Sequence, residues 1–184
     1  TYWNYFEQKS KLIPVLNCLT LGRLTYILVK CWAAYDEEVM KDLHLINLEN
    51  MYLAAPINAI YQPTITVSEK EAEIIIAVKE DYFHSAGAVH GSVYFKMLDD
   101  AAFFAANSLE REFFILTSSF VTYLTRPITS GYMKSIGRVV NQTKTQILAE
   151  AIVFNAEDKE IARGNGIFVR GKFRLADALG YSAQ

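Results

Sequence analysis

Hydrophobic and polar residues alternate over much of the chain in the manner of β-strands. Six such runs occur, at 60–67, 74–78, 113–124, 133–140, 145–154 and 161–170. The connections 141–144 and 155–158 are short enough for hairpins, which join antiparallel neighbours. Pro63 predicts an edge position or a bulge for part of the first run, because proline has no N–H to donate to a neighbouring strand. The pattern predicts one antiparallel sheet.

A single long helix is predicted between the second and third strands. Residues 92–109 contain neither Gly nor Pro and are rich in Ala, Phe, Leu and Met, which favours a helix. Apolar residues occur on nearly every side of it, so we expect this helix to be buried. A buried helix among antiparallel strands must lie against one face of their sheet. A second copy of the chain would be able to pair with the exposed edge strand.

The first fifty residues follow no comparably clear pattern. Helical spacing becomes distinct only over 36–48, where an acidic run at 36–38 suits a helix N-terminus. We predict a helical segment or arm over 1–50 and one domain over 51–184. The apolar stretch 12–34 is interrupted by Asn17, Arg23 and Lys30. It predicts no membrane span, which needs about 20 nearly uncharged residues.

Composition and charge exclude several classes of protein. The chain has 184 residues, of which 52% are hydrophobic and 21% are charged, as in globular domains. Its 18 basic and 20 acidic residues give a net charge of −2, which argues against a broad contact with nucleic-acid phosphates. The two cysteines are too few for a disulfide framework or a four-cysteine zinc site. They favour a reducing compartment, and we expect the protein to be cytoplasmic.

Residues suited to catalysis collect around the start of the predicted helix. His84 and His90 lie in one loop, Gly91 lies where the helix begins, and Asp99 follows in the helix itself. Backbone N–H groups at a helix N-terminus are unpaired and can stabilise a carbonyl oxygen as it becomes an oxyanion. An aspartate in an apolar helix is unfavourable unless it is paired or has a function. This cluster is therefore the candidate site.

The same residues also allow less specific interpretations. Asp99 could pair with a lysine or arginine, or Asp100 could be the residue that faces the site. His90 alone is more often structural than catalytic, and His84 could be either. The six-residue spacing of the two histidines fits no helical pair of metal ligands, so we predict no metal site.

The string Gly-Ala-Val-His-Gly-Ser at 87–92, followed by Asp99, resembles the hotdog-fold thioesterases of the phenylacetic-acid-degradation type. That family has Asn-x-x-Gly-x-x-His-Gly-Gly and an aspartate nine residues after the histidine. The resemblance covers about residues 57–171 and implies an α+β hotdog fold, an antiparallel sheet wrapped around one long buried helix. The sequence departs from the family at His84, which replaces the asparagine, and at Ser92, which replaces the second glycine of the pair.

The resemblance implies a role for each candidate residue. Asp99 corresponds to the general base or nucleophile, and Gly91 to the residue whose backbone N–H polarises the thioester carbonyl. Thr117 corresponds to a residue that orients the acid or the attacking water. His90 corresponds to a loop organiser, and His84 would either position a reactant or act as a second acid–base group. The catalytic candidates are Asp99, Gly91, His84 and Thr117. The candidates for substrate binding are His90, Ser92, Arg126 and Arg138.

These roles imply hydrolysis of an acyl-CoA thioester without a bound cofactor. The resemblance also implies a homodimer or a dimer of dimers, because the family takes the aspartate and the oxyanion donor of one site from different subunits. We expect neither nucleic acid nor a membrane as a partner. One alternative is a non-catalytic acyl-binding or regulatory module on the same fold. Another is a hotdog dehydratase, but the His-x-x-x-Pro-Gly element expected of it is missing.

Overall fold

The computed structural model of this protein describes residues 42–181. Their helices and strands are, in chain order, α1 (Leu43–Ala54), α2 (Asn58–Tyr61), β1 (Thr64–Ser68), β2 (Glu71–Ala77), α3 (Gly91–Asn107), β3 (Phe113–Leu124), β4 (Tyr132–Gln142), β5 (Gln146–Phe154) and β6 (Glu160–Arg174). Short 3₁₀ turns follow β2 and β6. Within this range, no helix has both the length and the apolar character needed to cross a membrane. Most of the predicted arm over 1–50 lies outside the described residues.

A single antiparallel sheet contains all six strands. Their order is β1-β2-β4-β5-β6-β3, so β1 and β3 are the two edges. Pro63 directly precedes the edge strand β1, a position where its missing N–H leaves no neighbour unpaired. The predicted order of two strands, one helix and four strands is confirmed, as is the α+β hotdog fold.

The helix α3 lies across one face of this sheet and forms the centre of the core. Met97, Leu98 and Ala101 are completely buried. Gly137 on β4 lies directly against the helix, because a Cβ placed there would be 2.1 Å from the carbonyl oxygen of Ala101. Only glycine allows the helix and the sheet to approach so closely. The predicted buried helix is confirmed, and it begins and ends within two residues of the predicted bounds.

The helix predicted over 36–48 lies further along the chain than expected. α1 begins only at Leu43, because Asp42 has a non-helical backbone and its side chain accepts a hydrogen bond of 2.9 Å from the N–H of His44. This is the arrangement of an N-cap residue, which starts a helix. α1 continues to Ala54 and so crosses the predicted boundary between residues 50 and 51. The acidic run at 36–38 lies outside the described residues.

The first predicted strand, 60–67, is wrong over its first residues. Asn58–Tyr61 form the short helix α2, and β1 begins after it at Thr64. The side-chain amide of Asn58 donates a hydrogen bond of 2.6 Å to the carbonyl of Tyr52. This carbonyl lies in the last turn of α1, where it also accepts the N–H of the C-cap residue Ala55 at 3.3 Å. The bond from Asn58 therefore holds α2 against the end of α1 and favours a helical turn over an extended strand.

The helix α1 packs beside the C-terminal half of α3 and the edge strand β1. The rings of Tyr52 and Phe104 meet edge to face with centroids 5.0 Å apart. The buried imidazole of His44 contacts the carbonyl of Asn107 at the end of α3, at 3.1 Å from its Nε2. A carboxylate oxygen of Glu49 accepts the N–H of Val67 on β1 at 2.6 Å. These contacts make α1 part of the wall around the central helix.

Candidate active site

Local hydrogen bonds at His90 define the first turn of α3. His90 is the N-cap, and its Nδ1 accepts a hydrogen bond of 3.1 Å from the backbone N–H of Ser92. The hydroxyl of Ser92 lies 2.8 Å from the same nitrogen. A neutral imidazole that accepts at Nδ1 carries its proton on Nε2. His90 therefore caps and orders the start of α3, and the backbone N–H and hydroxyl of Ser92 hold its imidazole in place.

His84 shapes the preceding loop. Its Nδ1 accepts a hydrogen bond of 3.0 Å from the N–H of Ala86, and its carbonyl accepts one of 2.9 Å from the N–H of Gly87. Asparagine side chains commonly accept the N–H two residues ahead in the same way. Gly87 has a φ of +78°, a conformation that favours glycine. The imidazole therefore makes the turn contact that the family's asparagine could make.

Gly91 presents the N–H predicted to bind an oxyanion. It is the first residue of α3, so its N–H has no acceptor within the helix. None of the acceptors between residues 42 and 181 takes this N–H either. A pocket of about 530 Å³, here called the loop pocket, surrounds it. The loop pocket is lined by His84, Val89, His90, Gly91, Tyr94, Leu124, Thr125, Arg126 and Pro127.

Asp99 lies in a second pocket of about 370 Å³, here called the helix pocket. Its walls are mostly apolar and include Met51, Phe103, Phe104, Phe114, Ile115 and Leu116. The hydroxyl of Thr117 donates a hydrogen bond of 3.0 Å to Oδ1 of Asp99. The pairing of β3 with β6 shifts register between Thr117 and Ser119, and an irregularity of this kind can re-aim a side chain next to a site. The structure thus brings Thr117 and Asp99 together.

The environment of Asp99 changes its acidity. Burial raises the pKa of this carboxyl from 3.8 to about 6, and the nearby carboxylate of Asp100 adds to the rise. The hydrogen bond from Thr117 and the ammonium of Lys96 oppose it, because both favour the charged form. A carboxylate with a pKa near 6 is mostly ionised at neutral pH and is a stronger base than an ordinary aspartate.

Asp100 lines the helix pocket together with Asp99, but it has different partners. Its Oδ2 accepts a hydrogen bond of 2.9 Å from the hydroxyl of Tyr52 and forms an ion pair with Lys96. The sequence left open whether Asp99 or Asp100 faces the site. Both aspartates line the helix pocket. Asp100 is held by the ammonium of Lys96 and the hydroxyl of Tyr52, and Lys96 pairs with Asp100 rather than with Asp99.

Within one chain, Gly91 and Asp99 belong to different pockets. They are eight residues apart on one helix, which places them about 12 Å apart along its axis. A carbonyl oxygen bound to the Gly91 N–H and a water bound to Asp99 would each need to be about 3 Å from its partner. One thioester group cannot satisfy both within a single chain. The predicted catalytic residues form two half-sites, His84 with Gly91 and Thr117 with Asp99.

The two predicted arginines have different surroundings. Arg126 lines the loop pocket, where a negatively charged part of a ligand could reach it. Arg138 lines neither pocket, and its Nε donates a hydrogen bond of 2.6 Å to Oε2 of Glu71 on the neighbouring strand. The fold therefore does not bring Arg138 to the other candidates.

Sequence reasoning missed Tyr52 and Lys96 in the helix pocket. The spacing of Lys96 and Asp100, four residues apart on a predicted helix, was a usable signal for an ion pair. No comparable signal pointed to Tyr52, because it comes from α1, far from the motif along the chain.

Comparison with known proteins agrees with this architecture. A family model described as thioesterase superfamily matches residues 86–162, which include the first turn of α3 and Asp99. The structure of the Escherichia coli PaaI protein from the phenylacetic acid degradation operon is similar over 72% of this chain and 99% of that chain, with 20% identity and a TM-score of 0.65. A thioesterase structure from Haemophilus influenzae is similar over 70% of this chain and 91% of that chain, with 17% identity and a TM-score of 0.62.

These comparisons confirm the resemblance that the motif carries. The search of curated proteins found no match. Structural similarity at such low identity establishes the hotdog fold, and the family model extends over the loop and the central helix.

Proposed function

We propose that this protein, whose loop and central helix match the thioesterase superfamily, hydrolyses an acyl-CoA thioester to the free acid and CoA. The observation that carries the proposal is Asp99, a desolvated carboxylate held by Thr117 at the edge of an apolar pocket. The N–H of Gly91 at a helix N-terminus, which no acceptor between residues 42 and 181 takes, supplies the second element that such a reaction needs.

The mechanism begins with the ionised carboxylate of Asp99. It takes a proton from a water molecule, and the resulting hydroxide attacks the thioester carbonyl carbon. The Gly91 N–H stabilises the negative charge that develops on the carbonyl oxygen. The carbon–sulfur bond then breaks, and the CoA thiolate leaves and takes up the proton. In a variant of this route, Asp99 attacks the carbonyl directly and water resolves the resulting anhydride.

Each complete site would combine two chains. Since Gly91 and Asp99 of one chain are about 12 Å apart along the helix, a second copy must supply the missing half. The edge strand β3 offers the surface for this contact, because Leu116, Val121 and Tyr123 are exposed along it. Phe95 is exposed on the neighbouring face of α3. Pairing of this edge between two copies would cover these side chains.

The two pockets suit the two ends of the substrate. The apolar walls of the helix pocket, with Met51, Phe103 and Phe114, would take the acyl group beside the Asp99 carboxylate. The loop pocket would take the pantetheine side, with Arg126 available to a phosphate. The proposed chemistry needs no bound cofactor, because a thiolate is a good leaving group and the chain supplies both base and oxyanion donor.

A panel of acyl-CoA thioesters with detection of the free thiol tests the proposal. We expect the wild type to release CoA from at least one member and Asp99→Ala to lose this activity. Asp158→Ala is the matched control, because Asp158 pairs with Lys134 on the surface. Binding of the acyl-CoA by the wild type without release of thiol would instead support a non-catalytic acyl-binding module.

A further inference from the structure

An ion pair lies within the helix pocket, beside the proposed base. The ammonium of Lys96 contacts Oδ2 of Asp100 four residues later on α3, and their side chains are only 15% and 22% exposed. In the surface pair of Arg138 and Glu71 the corresponding values are 62% and 45%. Exposed pairs are screened by solvent and salt, whereas charges in a partly buried pair act more strongly on their neighbours. The Lys96–Asp100 pair is therefore placed to influence the pocket.

Residues on α1 and α2 hold this pair in position. The hydroxyl of Tyr52 donates a hydrogen bond of 2.9 Å to Asp100. The ammonium of Lys96 lies 5.1 Å from the ring centroids of both Tyr52 and Tyr61, within the range of a cation–π contact. Both tyrosines precede the segment that matches the family model. The contacts thus come from a part of this chain that lies before the segment matched by the family model.

The pair lies next to Asp99 on the same helix. Lys96 is three residues before Asp99, a spacing that brings helical side chains within about 5–6 Å at Cβ, and Asp100 is adjacent to it in the chain. The titratable groups around Asp99 are Lys96 and Asp100 from α3 and Tyr52 from α1, and β3 contributes the uncharged Thr117. The two charges of the pair act in opposite directions: the carboxylate of Asp100 raises the pKa of Asp99 and the ammonium of Lys96 lowers it.

We propose that Lys96 and Asp100, held by Tyr52, are positioning residues that together set the ionisation of Asp99 for hydrolysis, with Lys96 favouring the charged carboxylate and Asp100 opposing it. The ammonium compensates the charge of the second carboxylate, so the described residues that line the helix pocket keep a net negative charge on Asp99. This inference rests on the proposed function, because it concerns the base of that reaction. Neither Lys96 nor Asp100 needs to touch the reacting atoms, since both act through the electrostatic environment of Asp99.

Two substitutions that break the same ion pair should have opposite effects on Asp99. Lys96→Met leaves two carboxylates in one pocket, so Asp99 should retain its proton to higher pH. Asp100→Asn leaves an uncompensated ammonium, so Asp99 should lose its proton at lower pH. If the pair had a purely structural role, the two variants would not shift the pH at which Asp99 loses its proton in opposite directions, because both lose the same contact.

The experiment measures the ionisation of Asp99 in two independent ways. One is the acidic limb of the pH dependence of kcat/KM. The other is the ¹³C NMR titration of aspartate carboxyl carbons, with the Asp99 signal identified by its loss in Asp99→Asn. We expect the Asp99 midpoint to move up by about one pH unit in Lys96→Met and down by a similar amount in Asp100→Asn. Lys134→Met, which breaks a surface pair with Asp158, is the control and should leave the midpoint unchanged.

The NMR titration separates failure of this inference from failure of the proposed function. Unchanged midpoints, or shifts in the same direction in both folded variants, would overturn the role of the pair whatever the activity. Absence of thiol release by the wild type would overturn the proposed function, while the NMR midpoints would still report on the pair. If Lys96→Met does not fold, Lys96→Gln repeats the test, because it removes the same charge.

Discussion

The hydroxyl of Thr117 donates a hydrogen bond of 3.0 Å to Oδ1 of Asp99 and so joins the edge strand β3 to the central helix α3. Because β3 is one of the two edge strands of the sheet, this bond places the carboxylate between an apolar pocket and the surface where a second chain is proposed to pair. It also favours the ionised carboxylate, which partly offsets the effect of burial.

The two adjacent aspartates should differ in their importance for turnover. We expect Asp99→Asn to lose at least about a hundredfold in kcat, the scale of a general base. Asp100→Asn should lose little when measured at pH 8, because its carboxylate is already paired with Lys96 and Tyr52. Steady-state kinetics at that pH would check both. Equal losses from the two substitutions would show that the base is assigned to the wrong residue.

Asp99 should make folding stability depend on pH. Since burial raises the pKa of Asp99 from 3.8 to about 6, the folded protein binds this proton more tightly than the unfolded chain does. The contribution of Asp99 to stability is therefore most favourable below about pH 4 and falls as the pH rises towards 6. Asp99→Asn should increase the free energy of unfolding at pH 8 by about 1–2 kcal/mol, a value reduced to allow for solvent screening.

Chemical denaturation at pH 8 and at pH 3.5 would measure this effect. The gain from Asp99→Asn should largely disappear at the lower pH, where the carboxyl is protonated in the folded protein and mostly protonated in the unfolded chain. Asp158→Asn is the control, because its carboxylate is exposed. A gain of equal size at both pH values would mean that the charge of Asp99 is not its cause.

Activity should require the backbone N–H of Gly91. It should not require that this residue lack a side chain. Gly91→Pro removes the N–H at the first position of a helix, where proline is well tolerated. The preceding His90 already has the extended backbone, with φ −66° and ψ 145°, that a following proline requires. We expect a loss of roughly 10²–10³ in kcat. Gly91→Ala keeps the N–H and should retain activity, since its Cβ would meet only the flexible end of Leu124 at 3.1 Å.

Mixing two inactive variants should restore activity if each site combines two chains. In a mixed dimer of Asp99→Asn and Gly91→Pro, one site has both residues intact and the other has neither. Random reassociation of equal amounts should give about a quarter of the wild-type activity, because half of the dimers are mixed and each has one working site. Recovery after denaturation and co-refolding would measure this. No recovery, with mixed dimers shown to form, would contradict the shared site.

The protein should be at least a dimer through β3. Sedimentation at micromolar concentration should show no active monomer in the wild type. Val121→Lys places a charge on the exposed edge strand and should favour the monomer and reduce activity. Val140→Lys is the matched control, because Val140 is similarly exposed, at 55% against 48%, on an interior strand. Dissociation by both variants alike would argue against β3 as the interface.

His84 should act by position rather than by proton transfer. Its Nδ1 accepts the N–H of Ala86, and an asparagine oxygen can accept the same N–H. His84→Asn should therefore retain substantial activity, whereas His84→Leu should not, because it loses the acceptor. The pH dependence of kcat/KM of wild type and His84→Asn checks the role. Loss of one limb of that profile in His84→Asn, together with a large fall in rate, would make His84 a second acid–base group.

Local patterns in the sequence were sufficient for the order of elements. Alternation with a period of two depends only on neighbouring residues, so the strand Phe113–Leu124 was predicted with its observed bounds. The long run without Gly or Pro likewise identified α3. The motif predicted Gly91 at the start of the helix and Asp99 within it, because both follow from spacing along the chain. The resemblance to the family added Thr117 as a candidate.

Tertiary structure alone decided which residues surround Asp99. Tyr52 lies 48 residues from Asp100 in the chain, yet its hydroxyl donates to that carboxylate, and no local pattern encodes such a contact. Asn58 lies in a helical turn and does not lead into a strand, because its side-chain amide donates a hydrogen bond to the carbonyl of Tyr52 near the end of α1. The division into two half-sites follows from the length of a rigid helix and from β3 being the edge, which is set when β3 pairs with β6. Long-range packing determines these features, since local preferences are weaker than the burial and hydrogen bonding that a completed core provides.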